Sequence, residues 1–212
     1  MPDYSIKITV PAVIDKIIVF PLLAFRKIWY GYSFRRIRLI PNKYAIVEPA
    51  DFHEISKYTW WTQKNGSYYS AVHYFQSSNG GRFVAMHRKL IKPPKNRVVD
   101  HINRNPLDNR RLNLRIVTWA QNNMNSCGKI GSSSKYKGVS KCRKNNSWRA
   151  SIRVNKKNSE LGYFDCEMQA ARVYDNAAKK YYGEFAYLNF PPDNGPQGLR
   201  GRLIDYRLSI IG

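Results

Sequence analysis

A carboxylate and an imidazole stand side by side at Asp100-His101, at the head of the stretch of this sequence richest in chemistry-bearing side chains. The stretch continues through Ile102-Asn103, then Asp108-Asn109-Arg110-Arg111-Leu112-Asn113-Leu114-Arg115, then Thr118-Trp119-Ala120-Gln121-Asn122-Asn123. Carboxylate and amide oxygens suit a hard divalent cation, Mg²⁺ or Mn²⁺, better than zinc. An imidazole has its pKa near working pH and can take the proton of an attacking water. Phosphodiester hydrolysis needs this combination: a cation to neutralise charge on the phosphate and leaving oxygens, and a base for the water. A lone Asp-His pair is more often a surface or capping pair. The two asparagine segments downstream set this one apart.

Short elements must bring these side chains together. Val98-Val99 reads as a buried strand that delivers Asp100 and His101 to its end, a polar loop turns the chain, and Leu114 to Val117 returns as a second strand. Thr118 is a natural N-cap, which puts Asn122 one turn into the helix that follows. Upstream, Tyr68 to Tyr74 alternates as a strand, Ser77-Ser78-Asn79-Gly80-Gly81 is turn chemistry, and Arg82 to Met86 is the partner strand. His87 to Ile91 forms a short helix that Pro93-Pro94 ends. Trp60 and Trp61 read as core or rim packing.

The D-H-I-x-x-N, D-N-R-R-x-N-L-R and Q-N segments, in this order and spacing, resemble the HNH homing endonucleases, with the pattern running from about Tyr44 to Asn125. The resemblance implies a small ββα-metal nuclease domain acting on DNA with a divalent metal. It implies His101 as general base, Asp100 as metal ligand and Asn113 as the asparagine that braces the site and the base. Asn122 takes the final position, as an asparagine where the family's last letter is histidine. Asn123 is the alternative if the helix register differs by one. The family also carries a histidine at the place of His87, for which a structural or DNA-backbone role is favoured over metal binding. Asn109 reads as a loop-shaping cap, and His53 and His73 are given no role.

A second unit follows Gly131-Ser132-Ser133-Ser134, which looks like a linker. Tyr136 to Val139 opens a strand, Ser147 to Val154 is a second and Ser159 to Phe164 a third. Asp165 can cap a helix from Cys166 to about Tyr182, which Gly183 stops. In that helix Ala170, Val173, Tyr174, Ala177 and Tyr181 make one apolar stripe. Alternation turns Trp148, Ala150, Ile152 and Val154 toward the helix and Arg149, Ser151 and Arg153 away from it. A sheet backed by one helix, with arginines on the open face, fits the major groove.

Its Y-K-G-V, W-R-A-S-I-R, L-G-Y-F-D, A-A-R-V-Y-D-N-A-A and G-E-F-A-Y-L-N-F-P segments resemble the plant ethylene-response-factor (APETALA-two) DNA-binding domain over about Ser133 to Pro191. The resemblance implies that Arg149 and Arg153 contact DNA, with Lys137, Lys141 and Arg143 near phosphates. Ser140 and Cys142 stand where the plant proteins carry arginines, and Glu160 replaces a DNA-facing tryptophan, so the plant domain's base preference does not carry over.

Bulk properties agree with a nucleic-acid partner. Lys and Arg outnumber Asp and Glu by 36 to 14 over 212 residues, a formal charge of +22. Such an excess repels itself in the compact state and usually exists to meet a polyanion, nucleic acid first and an anionic membrane surface second. Three cysteines (Cys127, Cys142, Cys166) without a C-x-x-C pair exclude a disulfide framework and a four-thiolate zinc site, and they fit a reducing intracellular setting. Ile8 to Phe25 is apolar but broken by Pro11, Asp15, Lys16 and Pro21, short of the ~20 apolar residues of a spanning helix. The basic, aromatic run after it could lie on a lipid surface. A helix packed on the rest of the protein is the favoured reading.

The expected architecture is therefore α+β: an N-terminal apolar and basic segment (1–38), an HNH nuclease domain (39–130), a three-stranded antiparallel sheet on one helix (133–192) and a tail (193–212). The expected activity is metal-dependent cutting of double-stranded DNA, in a bacterial or phage-encoded protein of homing or defence type that acts in the cytoplasm or nucleoid. A DNA-binding regulator with a decayed nuclease site is the alternative.

Overall fold

The computed structural model describes residues 12–192 apart from 67, 77, 79, 129, 130 and 144, and it begins with a helix, α1 (Ala12–Tyr30), that leaves most of its large apolar side chains from Ile17 onward exposed. Ile17, Ile18, Phe20, Leu22, Phe25, Ile28 and Trp29 are all exposed. They spread over roughly 200° of the helix at 3.6 residues per turn, too wide for one packed face. Among the described residues of this segment, the packing seen is at the C-terminal end of the helix, where Arg26 Nη1 donates to Phe34 O at 2.6 Å and Ser33 Oγ to Leu23 O at 3.1 Å. No helix among the described residues is long and apolar enough to cross a membrane. The expected tail, 193–212, lies outside the described residues, as do Ser77 and Asn79 of the expected turn.

Strands β1 (Arg35–Leu39) and β2 (Lys43–Val47) form an antiparallel pair, and α2 (Phe52–Ser56) follows. Strands β3 (Trp61–Asn65), β4 (Tyr68–Phe75) and β5 (Arg82–Ala85) form an antiparallel sheet in that order, and α3 (Met86–Leu90) closes it. Alternation explains the inward set: Ile37 and Leu39 from β1, Ala45 and Val47 from β2, with Ile55, Trp60, Ala71 and Met86 completing one core. Trp60 is wholly inside, and its indole donates to Ile55 O at 2.8 Å, as a buried N–H must.

The strand–loop–strand–helix unit stands beside this core. β6 (Val98–His101) pairs antiparallel with β7 (Leu114–Val117), in a register that sets Asp100 opposite Arg115 and His101 opposite Leu114. The loop between them is pinned to β2, since Ile46 N donates to Leu107 O and Asn109 N to Ile46 O, both at 2.8 Å. Helix α4 (Trp119–Asn125) starts at Thr118 with a capping box: the Thr118 side chain accepts from Gln121 N, and the Gln121 side chain accepts from Thr118 N.

In the second unit β8 (Val139–Lys141), β9 (Trp148–Val154) and β10 (Lys157–Phe164) form an antiparallel sheet with β9 central, backed by α5 (Glu167–Tyr182). Ala150 and Ile152 are buried against α5, while Arg149 and Arg153 are exposed on the other face. Gly138, at φ +76°, is needed because a Cβ there would collide with the Tyr174 ring. The buried stripe of α5 is Ala170, Ala171, Tyr174 and Ala178, turned from the expected one, and Tyr181 faces solvent. The turn accommodates Asp175, whose buried carboxylate accepts from Asn189 N, Asn189 Nδ2 and Phe190 N and so fastens the chain after the helix. The N-cap of α5 is Cys166 instead of Asp165, with no side-chain cap bond.

The serine run is no flexible linker. Ser134 is buried, donates to Glu167 Oε1 at 2.7 Å and accepts from Tyr136 N, and Ser133 Oγ accepts from Lys141 N. Serine hydroxyls here bond local backbone in place of a regular ladder, which makes the segment the first turn of the second unit. The whole is α+β, in small sheets each served by a short helix.

Candidate active site

Asp100, next to last in β6, is 6 % exposed, and its carboxylate is hydrogen-bonded from two sides. Arg115, its cross-strand neighbour, donates from Nε to Oδ2 at 2.9 Å. Asn125, on the last turn of α4, donates from Nδ2 to both carboxylate oxygens at 3.0 Å and also to His101 O at 3.0 Å. Strand register supplies the first partner and the length of α4 the second. An ionised carboxylate has about four lone-pair sites, so these bonds orient Asp100 without exhausting it.

His101 is 8 % exposed. Its Nε2 lies 3.4 Å from Asn109 Oδ1, while Asn109 Nδ2 donates to Pro106 O at 3.2 Å. That amide orientation makes Asn109 the acceptor, so Nε2 carries the proton and Nδ1 the lone pair. The edge of one ring meets the face of the other between His87 and His101, centroids 5.1 Å apart. Burial lowers the pKa of His101, opposed by the Asn109 bond and the charges of Asp108 and Asp100. Burial, then the proximity of His101 and Arg88, pushes His87 down to about 3. Both imidazoles are therefore neutral near pH 7.

Asn113 braces the loop. Its Nδ2 donates to Asp108 O at 2.8 Å and to Asn103 Oδ1 at 2.9 Å, and its Oδ1 accepts from Asn103 N at 3.0 Å. Buried Asp108 takes a two-pronged bond from Arg110, at 2.8 and 2.6 Å, and a third from Asn103. Asn122 shares with Asp100 and His101 the wall of a cavity of about 280 Å³, along with Tyr68, Arg104, Asn125 and Cys127. Asn123 is exposed and lines a different groove, so the helix register is that of Asn122.

The five basic residues expected at DNA fall into distinct settings. Arg149, Arg153 and Arg143 are exposed. Lys141 donates to Asn146 O at 2.9 Å and stands 4.6 Å from the Trp148 ring centre. Lys137 departs from expectation. Its ammonium donates to the carbonyls of Asn123, Met124 and Ser126, at 2.8, 2.7 and 2.6 Å, and burial lowers its pKa to about 8. A cation at the C-terminal carbonyls of α4 satisfies acceptors that the helix cannot, so Lys137 clamps the two units together. The same interface holds Tyr187 N on Met124 O at 3.1 Å, and Arg115 bridges to Glu184 and lies 4.3 Å from the Phe185 ring centre.

Sequence reasoning missed Asn125 and Arg115. Both were findable: Asn125 lies three residues past Asn122 on one helix face, and Arg115 lies opposite Asp100 once the strands pair. Among the described residues no three His, Cys, Asp or Glu side chains cluster as a metal cage. Asp100 is the one acid on the cavity wall, beside amide oxygens. The oxygen set suits zinc less well, although His101 and Cys127 share the wall. It fits a hard cation that keeps waters and takes its remaining ligands from phosphate.

Residues 92–124, which span β6 through most of α4, match the model of the HNH endonuclease family. Over 177 residues the chain is 32 % identical to an uncharacterized HNH endonuclease of Acanthamoeba polyphaga mimivirus, covering 84 % of this chain and 83 % of that protein. HNH nucleases generally use a divalent metal. On the extent of that likeness, and with the matched segment folded around Asp100 and His101, the chain belongs to the HNH endonuclease family and is a nuclease.

Proposed function

We propose that the cavity walled by Asp100, His101 and Asn122 hydrolyses phosphodiester bonds of double-stranded DNA, and that unit 133–192 holds the duplex. The observation that carries the first part is a buried, neutral imidazole next to a carboxylate on one cavity wall, in a chain of +22 charge. Asp100 and Asn122 would hold Mg²⁺ or Mn²⁺, which supplies charge neutralisation at the phosphate and leaving oxygens. His101 takes one proton from the attacking water as its oxygen bonds to phosphorus. The bond from phosphorus to the leaving oxygen breaks, and that oxygen is protonated from solvent. Asn113 keeps the loop, Asn109 the imidazole, and Asn125 and Arg115 the carboxylate in position.

The second part is supported by Arg149 and Arg153 on one exposed sheet face, with Arg143 near them in sequence. Lys137 belongs to the interface between units, and Lys141 contributes charge at the edge of the sheet. The three cysteines are free thiols, which fits action in a reducing cell interior. The test is supercoiled plasmid with chelated protein resupplied with Mg²⁺, Mn²⁺ or Zn²⁺. Cleavage should return with the first two. Restoration by zinc alone, or undiminished cutting in chelator, contradicts the assignment.

A further inference from the structure

Two buried side-chain donors among the described residues have no hydrogen-bond partner, Arg36 Nε and Arg104 Nη1, and only Arg104 is on the wall of the nuclease cavity. Arg104 follows β6 in a turn closed by its own N–H on His101 O, at 2.8 Å, with φ +63°. Its guanidinium lies over the ring of Tyr187, 4.5 Å from the centre. An aromatic face holds a cation in place without using its N–H groups. Native folds rarely leave such a donor unpaired, and an orphan of this kind points to a missing acceptor. Asp100, the one acid on that wall, is already bonded by Arg115 and Asn125. Among the described residues nothing accepts from Arg104 Nη1, and a guanidinium fork matches phosphate oxygens.

Resting on the nuclease reading above, we propose that Arg104 is a further catalytic residue that binds the reacting phosphate, and that Tyr187, from the second unit, positions it. The C-terminal unit thereby completes the active site as well as gripping DNA.

Two measurements test this. In single-turnover cleavage beside wild type, Arg104→Ala should be slower by about 100- to 1,000-fold, as for loss of one donor to developing charge. Free guanidinium should restore part of the rate where equal NaCl does not. In duplex binding with cleavage silenced by His101→Ala, adding Arg104→Ala should flatten the log–log salt dependence by about 0.9, one phosphate contact. Arg104→Gln is read in the same way, so misfolding of the alanine variant does not decide the matter. An unchanged salt slope in the folded variants, or Arg104→Ala cutting at wild-type rate, overturns the proposal. Should wild type cut no DNA, the nuclease reading of this cavity falls, while the salt slope still decides whether Arg104 meets phosphate.

Discussion

Half-buried His87 packs against buried His101, and their lowered pKa values tie stability to pH. The unfolded chain takes up protons below its ordinary imidazole value while the folded one resists. Stability therefore falls as pH drops from about 6.5, by up to about 1.4 kcal/mol per pH unit for each such histidine. Denaturation across pH 7.5 to 5 should show this slope, and His87→Gln should reduce it; an unaltered slope in the variant contradicts the account. Asn125→Ala removes the amide shared by Asp100 and His101 O and should destabilise by about 1–3 kcal/mol and slow cleavage. Stability and rate at wild-type values would mean that this bridge is idle. At this scale the motif picked out Asp100, His101 and Asn122, which share one cavity wall, while the imidazole is held by Asn109 and not, as expected, by Asn113. The supporting residues were not legible, because Arg115 meets Asp100 only through strand register and Lys137 meets α4 only through an interface between units.

Helix α4 is seven residues long, too short to be stable alone, and its two ends are held by side chains. Thr118→Ala should cost about 1 kcal/mol and, by loosening Asn122 and Asn125, lower cleavage; urea denaturation and plasmid assays read both. The alternation of β9 was legible because one face is wet and one dry, as was Thr118, a cap whose chemistry is local. Strands β1 to β3 were not read, and α1 went wrong for a physical reason: an apolar sequence does not say whether anything covers it. In duplex binding, Arg149→Ala and Arg153→Ala should each flatten the salt dependence by about 0.9 or cost about 1–3 kcal/mol at one base position. Lys179→Ala, on the helix behind the sheet, should do neither; equal losses from all three would leave only bulk charge.

Over the whole molecule, the units expected to be independent share Lys137, Tyr187, Glu184 and Phe185 with the nuclease site. Removing residues 131–212 should therefore impair cleavage as well as binding, since Arg115 loses Phe185 and Glu184 and α4 loses Lys137. Rates on saturating duplex, set against the thermal stability of the truncated protein, check this; a truncated protein that cuts at the full-length rate once bound would restore the picture of separable modules. The contact between the nuclease site and residues 131–192 was not legible, because that surface is built from single residues scattered between position 104 and position 187.

Activation of the water by His101 is tested by single-turnover cleavage of plasmid DNA with His101→Ala. With Mg²⁺ and protein in excess, the variant should bind the plasmid as wild type does yet leave it uncut on the time scale in which wild type cuts it fully. Cleavage by purified His101→Ala at the wild-type rate would contradict the account.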